Sequence, residues 1–108
     1  MKYSIIVPIY KEKNNISSLI TKITSVLKKS KIIFEMILVD DQSNDGSKEE
    51  YKKSKNKYTK FFIRKVAPKD LSKSVTFGIK KSTYGNIIVM DGDLQHSPKE
   101  LLKLINVY

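Results

Sequence analysis

The chain has 108 residues, 40% of them hydrophobic, no cysteine and a formal net charge of +10. That length holds one domain or part of one, and the apolar content favours a folded core over disorder. The missing cysteines exclude disulfides and thiolate metal sites, so a metal must find oxygen or imidazole ligands. No apolar run approaches the ~20 residues that span a bilayer, which excludes a membrane-spanning helix within the sequence. No signal-peptide pattern opens the chain, and a cytoplasmic location is the default expectation.

The charge is unevenly placed. Between Lys48 and Lys81 twelve Lys or Arg face three acids, Glu49, Glu50 and Asp70. Such a stretch suits anionic partners such as nucleotides or an anionic membrane surface at the cytoplasmic face, and equally describes an ordinary solvated face. Nucleic acid is the weaker choice, because no recognisable nucleic-acid-binding motif accompanies Tyr51, Tyr58, Phe61 and Phe62.

In chain order, Tyr3 to Ile9 is apolar and β-branched enough to predict a buried strand. Asn14 or Asn15 can cap a following helix, in which Ile16, Leu19, Ile20, Ile23 and Leu27 form one stripe. Phe34 to Val39 predicts a second strand, closed by Asp40 and Asp41. The turn Asn44-Asp45-Gly46 leads to a polar helix from about Ser47 to Lys55, and Lys60 to Lys65 reads as a third strand. Leu71 to Ser82 is expected to be helical, with Leu71, Val75 and Ile79 along one side. Asn86 to Met90 predicts a fourth strand, and Ser97-Pro98-Lys99-Glu100 carries the cap, first-turn proline and capping box of a helix start.

This alternation predicts an α/β fold: a mostly parallel, Rossmann-like sheet with helices on both faces. Ligands of such sheets sit outside the carboxyl ends of the strands, near the switch in strand order. With the order 3-2-1-4, strands one and four flank that switch. Glu12, Asp40, Asp41, Asp91 and Asp93 would then gather at one edge, although clustered carboxylates are costly without a cation or proton. Hard oxygen ligands of this kind suit Mg²⁺ or Mn²⁺, which keep positions open for substrate phosphates. In isolation Asp91-Gly92-Asp93 would be a turn; following a buried strand and facing a second acidic pair, it predicts a metal-diphosphate site. An acid such as Asp40 or Asp41 at the end of an apolar strand can accept from a ribose or base, or simply hold a turn. Tyr10 offers a flat face to a base. His96, a lone loop histidine, is left out of the site. The absence of GxxxxGK and of GxGxxG excludes a P-loop and argues against a dinucleotide-binding Rossmann domain.

The strings VPIYKEKNNI, ILVDDQSNDGS and GNIIVMDGDLQHSPKEL resemble glycosyltransferase family 2, above all its dolichyl- and polyprenyl-phosphate mannosyl- and glucosyltransferases. The resemblance implies the N-terminal nucleotide-binding half of a GT-A fold, in a single truncated nucleotide-sugar-binding domain over residues 1–108. It implies inverting, metal-dependent sugar transfer from GDP-mannose or a UDP-sugar to a lipid-phosphate acceptor. By position, Pro8, Tyr10 and Glu12 would hold the nucleotide, and Val39 (through its backbone) and Asp41 would meet base or ribose. Asp91, Gly92 and Asp93 match the family's DxD element. Asp91 would serve ribose and metal, Asp93 the metal, and Gln95 would be a further ligand; Asp91 and Asp93 carry the catalytic role. Three departures stand out: Lys11 for the usual Asn, and Asp70 and Ser74 for the Gly and Ala of a Gly-Leu-Ser-x-Ala segment. A non-catalytic nucleotide-binding module and another Mg²⁺-dependent phosphoryl enzyme, receiver- or phosphatase-like, are the competing expectations.

Overall fold

Strand β1 (Lys2–Ile9) is buried on both faces from Tyr3 onward, as its unbroken apolar run requires. In the computed structural model, which describes residues 2–11, 13–30, 32–66 and 68–90, it is an inner strand of a four-stranded parallel sheet. The elements that follow are α1 (Lys13–Lys29), β2 (Ile33–Asp40), α2 (Ser47–Ser54), β3 (Thr59–Ile63), α3 (Leu71–Lys80) and β4 (Asn86–Val89). The strand order is β3-β2-β1-β4, the order supposed above for a switch flanked by strands one and four. Lys2 to Ile9 pair in register with Ile33 to Asp40, and Tyr3 to Ile6 with Asn86 to Val89.

Strand alternation sorts the core into two layers. Ile5, Val7, Ile9, Met36 and Leu38 face α1, where the predicted stripe Ile16, Leu19, Ile20, Ile23 and Leu27 is buried throughout. Each such side chain contributes about 1.5–3 kcal/mol on leaving water. Ile6, Ile37 and Val39 face the other way and pack with Phe62, Phe77 and Ile87.

Three local expectations need correction. Helix α1 begins at Lys13, so Asn14 and Asn15 lie inside its first turn rather than capping it. The Lys13 N–H is instead met by Asp45 Oδ2 at 3.4 Å, from a loop 32 residues away. Helix α3 does carry Leu71, Val75 and Ile79 along one side, but its buried residues are Ser74 and Gly78, while Leu71 and Ile79 are exposed. Close approach is the reason: a Cβ on Gly78 would stand 2.6 Å from Ile6 Cγ2 and 3.1 Å from Val39 Cγ2. Strand β3 also ends at Ile63, two residues before the predicted Lys65.

The amino edge of the sheet is tied by a buried carboxylate. Glu35 accepts from Ser4 Oγ at 2.6 Å, from Lys60 Nζ at 2.9 Å and from the Thr83 N–H. Burial pushes its carboxyl up, but these hydrogen bonds override burial and hold it below the ordinary value of 4.5. A depressed folded-state pKa contributes stability above the unfolded value and loses it as pH falls through the folded one.

Glu35→Gln is therefore expected to cost roughly 1–3 kcal/mol at neutral pH and to flatten the loss of stability below about pH 4.5, read by urea unfolding across pH. Gly78→Ala should destabilise by roughly 1–3 kcal/mol through overpacking in the same assay. Ser74→Ala should be neutral or stabilising, since the buried Ser74 Oγ finds no partner among the described residues.

Candidate functional site

Parallel pairing brings the carboxyl ends of β1, β2 and β4 to one edge. Ile9 lies beside Asp40, and the Met90 N–H reaches Ile6 O at 2.9 Å, so the end of β4 meets the same edge. Alternate residues of a strand turn their backbone groups to the same neighbour. Pro8 therefore faces the β4 side, two residues beyond Ile6 and past the end of the β1–β4 pairing, where its missing N–H breaks no ladder bond. Glu12, Asp91, Gly92, Asp93 and Gln95 lie outside the described residues.

The two adjacent acids closing β2 have separate duties. Asp40 turns inward and holds the following turn: its carboxylate accepts from Ser43 Oγ, and from the Ser43 N–H at 3.3 Å. Burial pushes its pKa up, against the lowering effect of those two bonds. The same Ser43 Oγ accepts the Lys11 N–H at 2.7 Å, which fixes Lys11 in a left-handed conformation with φ 52°. Asn tolerates that conformation more readily than Lys. The departure at residue 11 thus leaves a long cation on a constrained backbone.

Asp41 holds the other side. Its Oδ1 accepts from Arg64 Nε at 3.1 Å and its Oδ2 from the Asp70 N–H at 2.7 Å, with both side chains of the ion pair buried. Arg64 also donates to Pro68 O at 2.6 Å. Both oxygens of this buried carboxylate are thus engaged by the chain itself. Asp70, in the place of the family's Gly, caps α3 by accepting the Lys73 N–H at 3.0 Å. That substitution exchanges a flexible residue for a side-chain cap.

Tyr10 is 41% exposed at this edge, with Lys69 Nζ 2.8 Å from its hydroxyl and 4.6 Å from its ring centre. Lys11 Nζ lies 5.3 Å from the same ring centre. The Lys69 hydrogen bond is the largest cause lowering the Tyr10 pKa. Val39 is fully buried in the α3 layer, so its side chain is closed to any ligand. Asp45 and Ser47 fold the turn into α2: the Ser47 N–H donates to Asp45 Oδ1 at 3.1 Å. The sequence reading singled out neither Arg64 nor Lys69. Arg64 alone had a signal, as the single arginine among 21 basic residues.

Arg64→Met should cost about 3–5 kcal/mol in urea unfolding, because it leaves a buried carboxylate without its cation. Lys69→Met should raise the titration midpoint of Tyr10, followed by NMR with labelled tyrosine and assigned with Tyr10→Phe.

The model for glycosyl transferase family 2 matches residues 4–108. A dolichol-phosphate mannosyltransferase of Pyrococcus furiosus is 37% identical over 105 residues, covering 97% of this chain and 29% of that protein. Its counterpart in Saccharomyces cerevisiae is 36% identical over 110 residues, covering 96% of this chain and 40% of that protein. The chain thus spans well under two thirds of the length of either relative. A mannosyltransferase from Pyrobaculum calidifontis, solved with GDP-Man and Mn²⁺, aligns over 95% of this chain and 31% of its own, with a TM-score of 0.68 at 16% identity. That likeness bears on the fold, and it agrees with the expected GT-A half: a parallel sheet with α1 on one face and α3 on the other. Matched along nearly its whole length, this chain belongs to glycosyl transferase family 2.

Proposed function

We propose that this chain is the donor-binding half of an inverting, metal-dependent glycosyltransferase. It would pass a sugar from GDP-mannose or a UDP-sugar to a polyprenyl or dolichyl phosphate at the cytoplasmic face of a membrane. The observation that carries the reading is the shared carboxyl edge, where Tyr10, Asp41 and the exit from β4 at Met90 come together. The family match and the lipid-phosphate transferases among the relatives support the reaction class.

In this reading Tyr10 lies against the base, Asp41 accepts from base or ribose, and the backbone at Pro8, Val39 and Gly92 lines the nucleotide together with Glu12. The chemistry of the donor set fits a divalent ion: Asp91, Asp93 and Gln95 offer hard oxygens, immediately after a residue still bonded to β1. When bound, such an ion supplies positive charge to the leaving diphosphate. An acceptor phosphate oxygen forms the new bond to the anomeric carbon as the bond to the nucleoside diphosphate breaks. That oxygen is already ionised, so the site needs no strong general base.

Membership of the family leaves the receiver- and phosphatase-like alternatives without support. A second reading is nucleotide binding by these 108 residues without transfer.

Calorimetry on the folded chain should show GDP or UDP binding that strengthens with Mn²⁺. Asp91→Asn with Asp93→Asn should weaken it on the order of 10- to 100-fold and remove the metal dependence. A folded chain that binds neither nucleotide with Mn²⁺ present contradicts the proposal. Binding with no transfer to a polyprenyl phosphate supports the second reading.

A further inference from the structure

Among the described residues, the two most exposed large hydrophobics are Val66 (67%) and Leu71 (65%). They sit on one stretch, between β3 and the first turn of α3, interleaved with the exposed lysines Lys65, Lys69 and Lys73. Asp70 is the only acid between Glu50 and Asp91, and its carboxylate is engaged in capping α3. The stretch therefore presents apolar groups and three lysines against one acid, which caps α3.

It is also held in place. Gln42 Nε2 donates to Val66 O at 3.0 Å, Arg64 Nη2 to Pro68 O at 2.6 Å, and the Asp70 N–H to Asp41 Oδ2 at 2.7 Å. Three ties to the end of β2 or to the buried ion pair fix the backbone that carries Val66 and Leu71, so their exposure is imposed by the fold. Lys69 reaches Tyr10 from the same stretch, which joins it to the carboxyl edge of the sheet.

Exposed apolar side chains set among lysines match the boundary of an anionic bilayer, with apolar groups below and lipid phosphates at the level of the ammoniums. We propose that the stretch from Lys65 to Lys73 seats this protein on an anionic lipid bilayer. Val66 and Leu71 enter the headgroup–acyl boundary, and Lys65, Lys69 and Lys73 meet lipid phosphates. Among the described residues no helix is long and apolar enough to cross a membrane, so the attachment made by these residues is peripheral. The inference deepens the reading of a lipid-phosphate acceptor and rests on it for its purpose: the seat would bring that acceptor to the edge that carries Tyr10.

The test is co-sedimentation of the folded chain, without nucleotide, with vesicles of phosphatidylcholine alone or mixed equally with phosphatidylglycerol. Binding should require phosphatidylglycerol. Val66→Ser with Leu71→Ser should weaken it on the order of tenfold. Lys65→Ser with Lys73→Ser should weaken it about fivefold per lysine. The matched charge change on α2, Lys52→Ser with Lys53→Ser, should alter it less than about twofold. Circular dichroism should be unchanged in all variants, since every altered side chain is exposed or carries no core contact. Absence of binding to the mixed vesicles overturns the proposal. Equal losses from the two lysine pairs would reveal diffuse charge and overturn it as well. A concentration-dependent dimer that dissolves in the Val66/Leu71 variant would make the surface an interface between copies and overturn it too. Because nucleotide is absent, the outcome is independent of donor binding.

Discussion

The carboxylate of Asp41 ties three elements together at the carboxyl edge of the sheet. It closes β2, pairs with Arg64 at the end of β3, and accepts the backbone N–H that begins α3. Through Arg64 it also fixes Pro68, and with it the stretch that carries Lys69 to Tyr10. A buried ion pair contributes little net stability compared with an apolar replacement, yet losing one partner is costly. Its consequence here is positional: three elements that meet the sheet edge separately are held in one arrangement around one carboxylate.

The opposite edge is organised by the same means for a different end. Glu35, with Ser4, Lys60 and Thr83, pins the turn that leads into β4. Between the two edges the sheet is purely apolar, and α3 lies so close to it that Gly78 has no room for a Cβ against Ile6. Polar networks at both ends and tight packing between them set where β4 leaves the sheet. That point of exit lies at the carboxyl edge, where the Met90 N–H bonds Ile6 O.

Elements with a strong period were legible in the sequence. The α1 stripe and the strand runs follow from alternation and from the placement of apolar residues, whereas the order 3-2-1-4 entered only as a supposition that the sheet bears out. The face of α3 was not, because hydropathy marks Leu71, Val75 and Ile79, whereas close backbone approach selects Ser74 and Gly78. The partner of the Lys13 N–H comes from Asp45, 32 residues away, so no local pattern announces it. Asp40 and Asp41 are identical neighbours in sequence, and only their opposite directions at the strand end separate a turn-holding acid from one facing Arg64. The Tyr10 edge was anticipated; the lysine resting on it, from the far side of β3, was not. The expectations for Glu12, Asp91, Gly92, Asp93 and Gln95 concern positions outside the described residues and rest on motif and placement.

The central claim is that a nucleoside diphosphate is held at the carboxyl edge formed by β1, β2 and β4. Backbone amide NMR of the labelled chain, titrated with GDP or UDP in the presence of Mg²⁺, tests it most directly. The amides of Tyr10, Lys11, Asp41, Arg64 and Met90 should shift together with one saturating curve, while Glu35 and Thr83 at the opposite edge stay in place. Shifts centred on Glu35 and Thr83, or no saturable shift with either nucleotide, would contradict it.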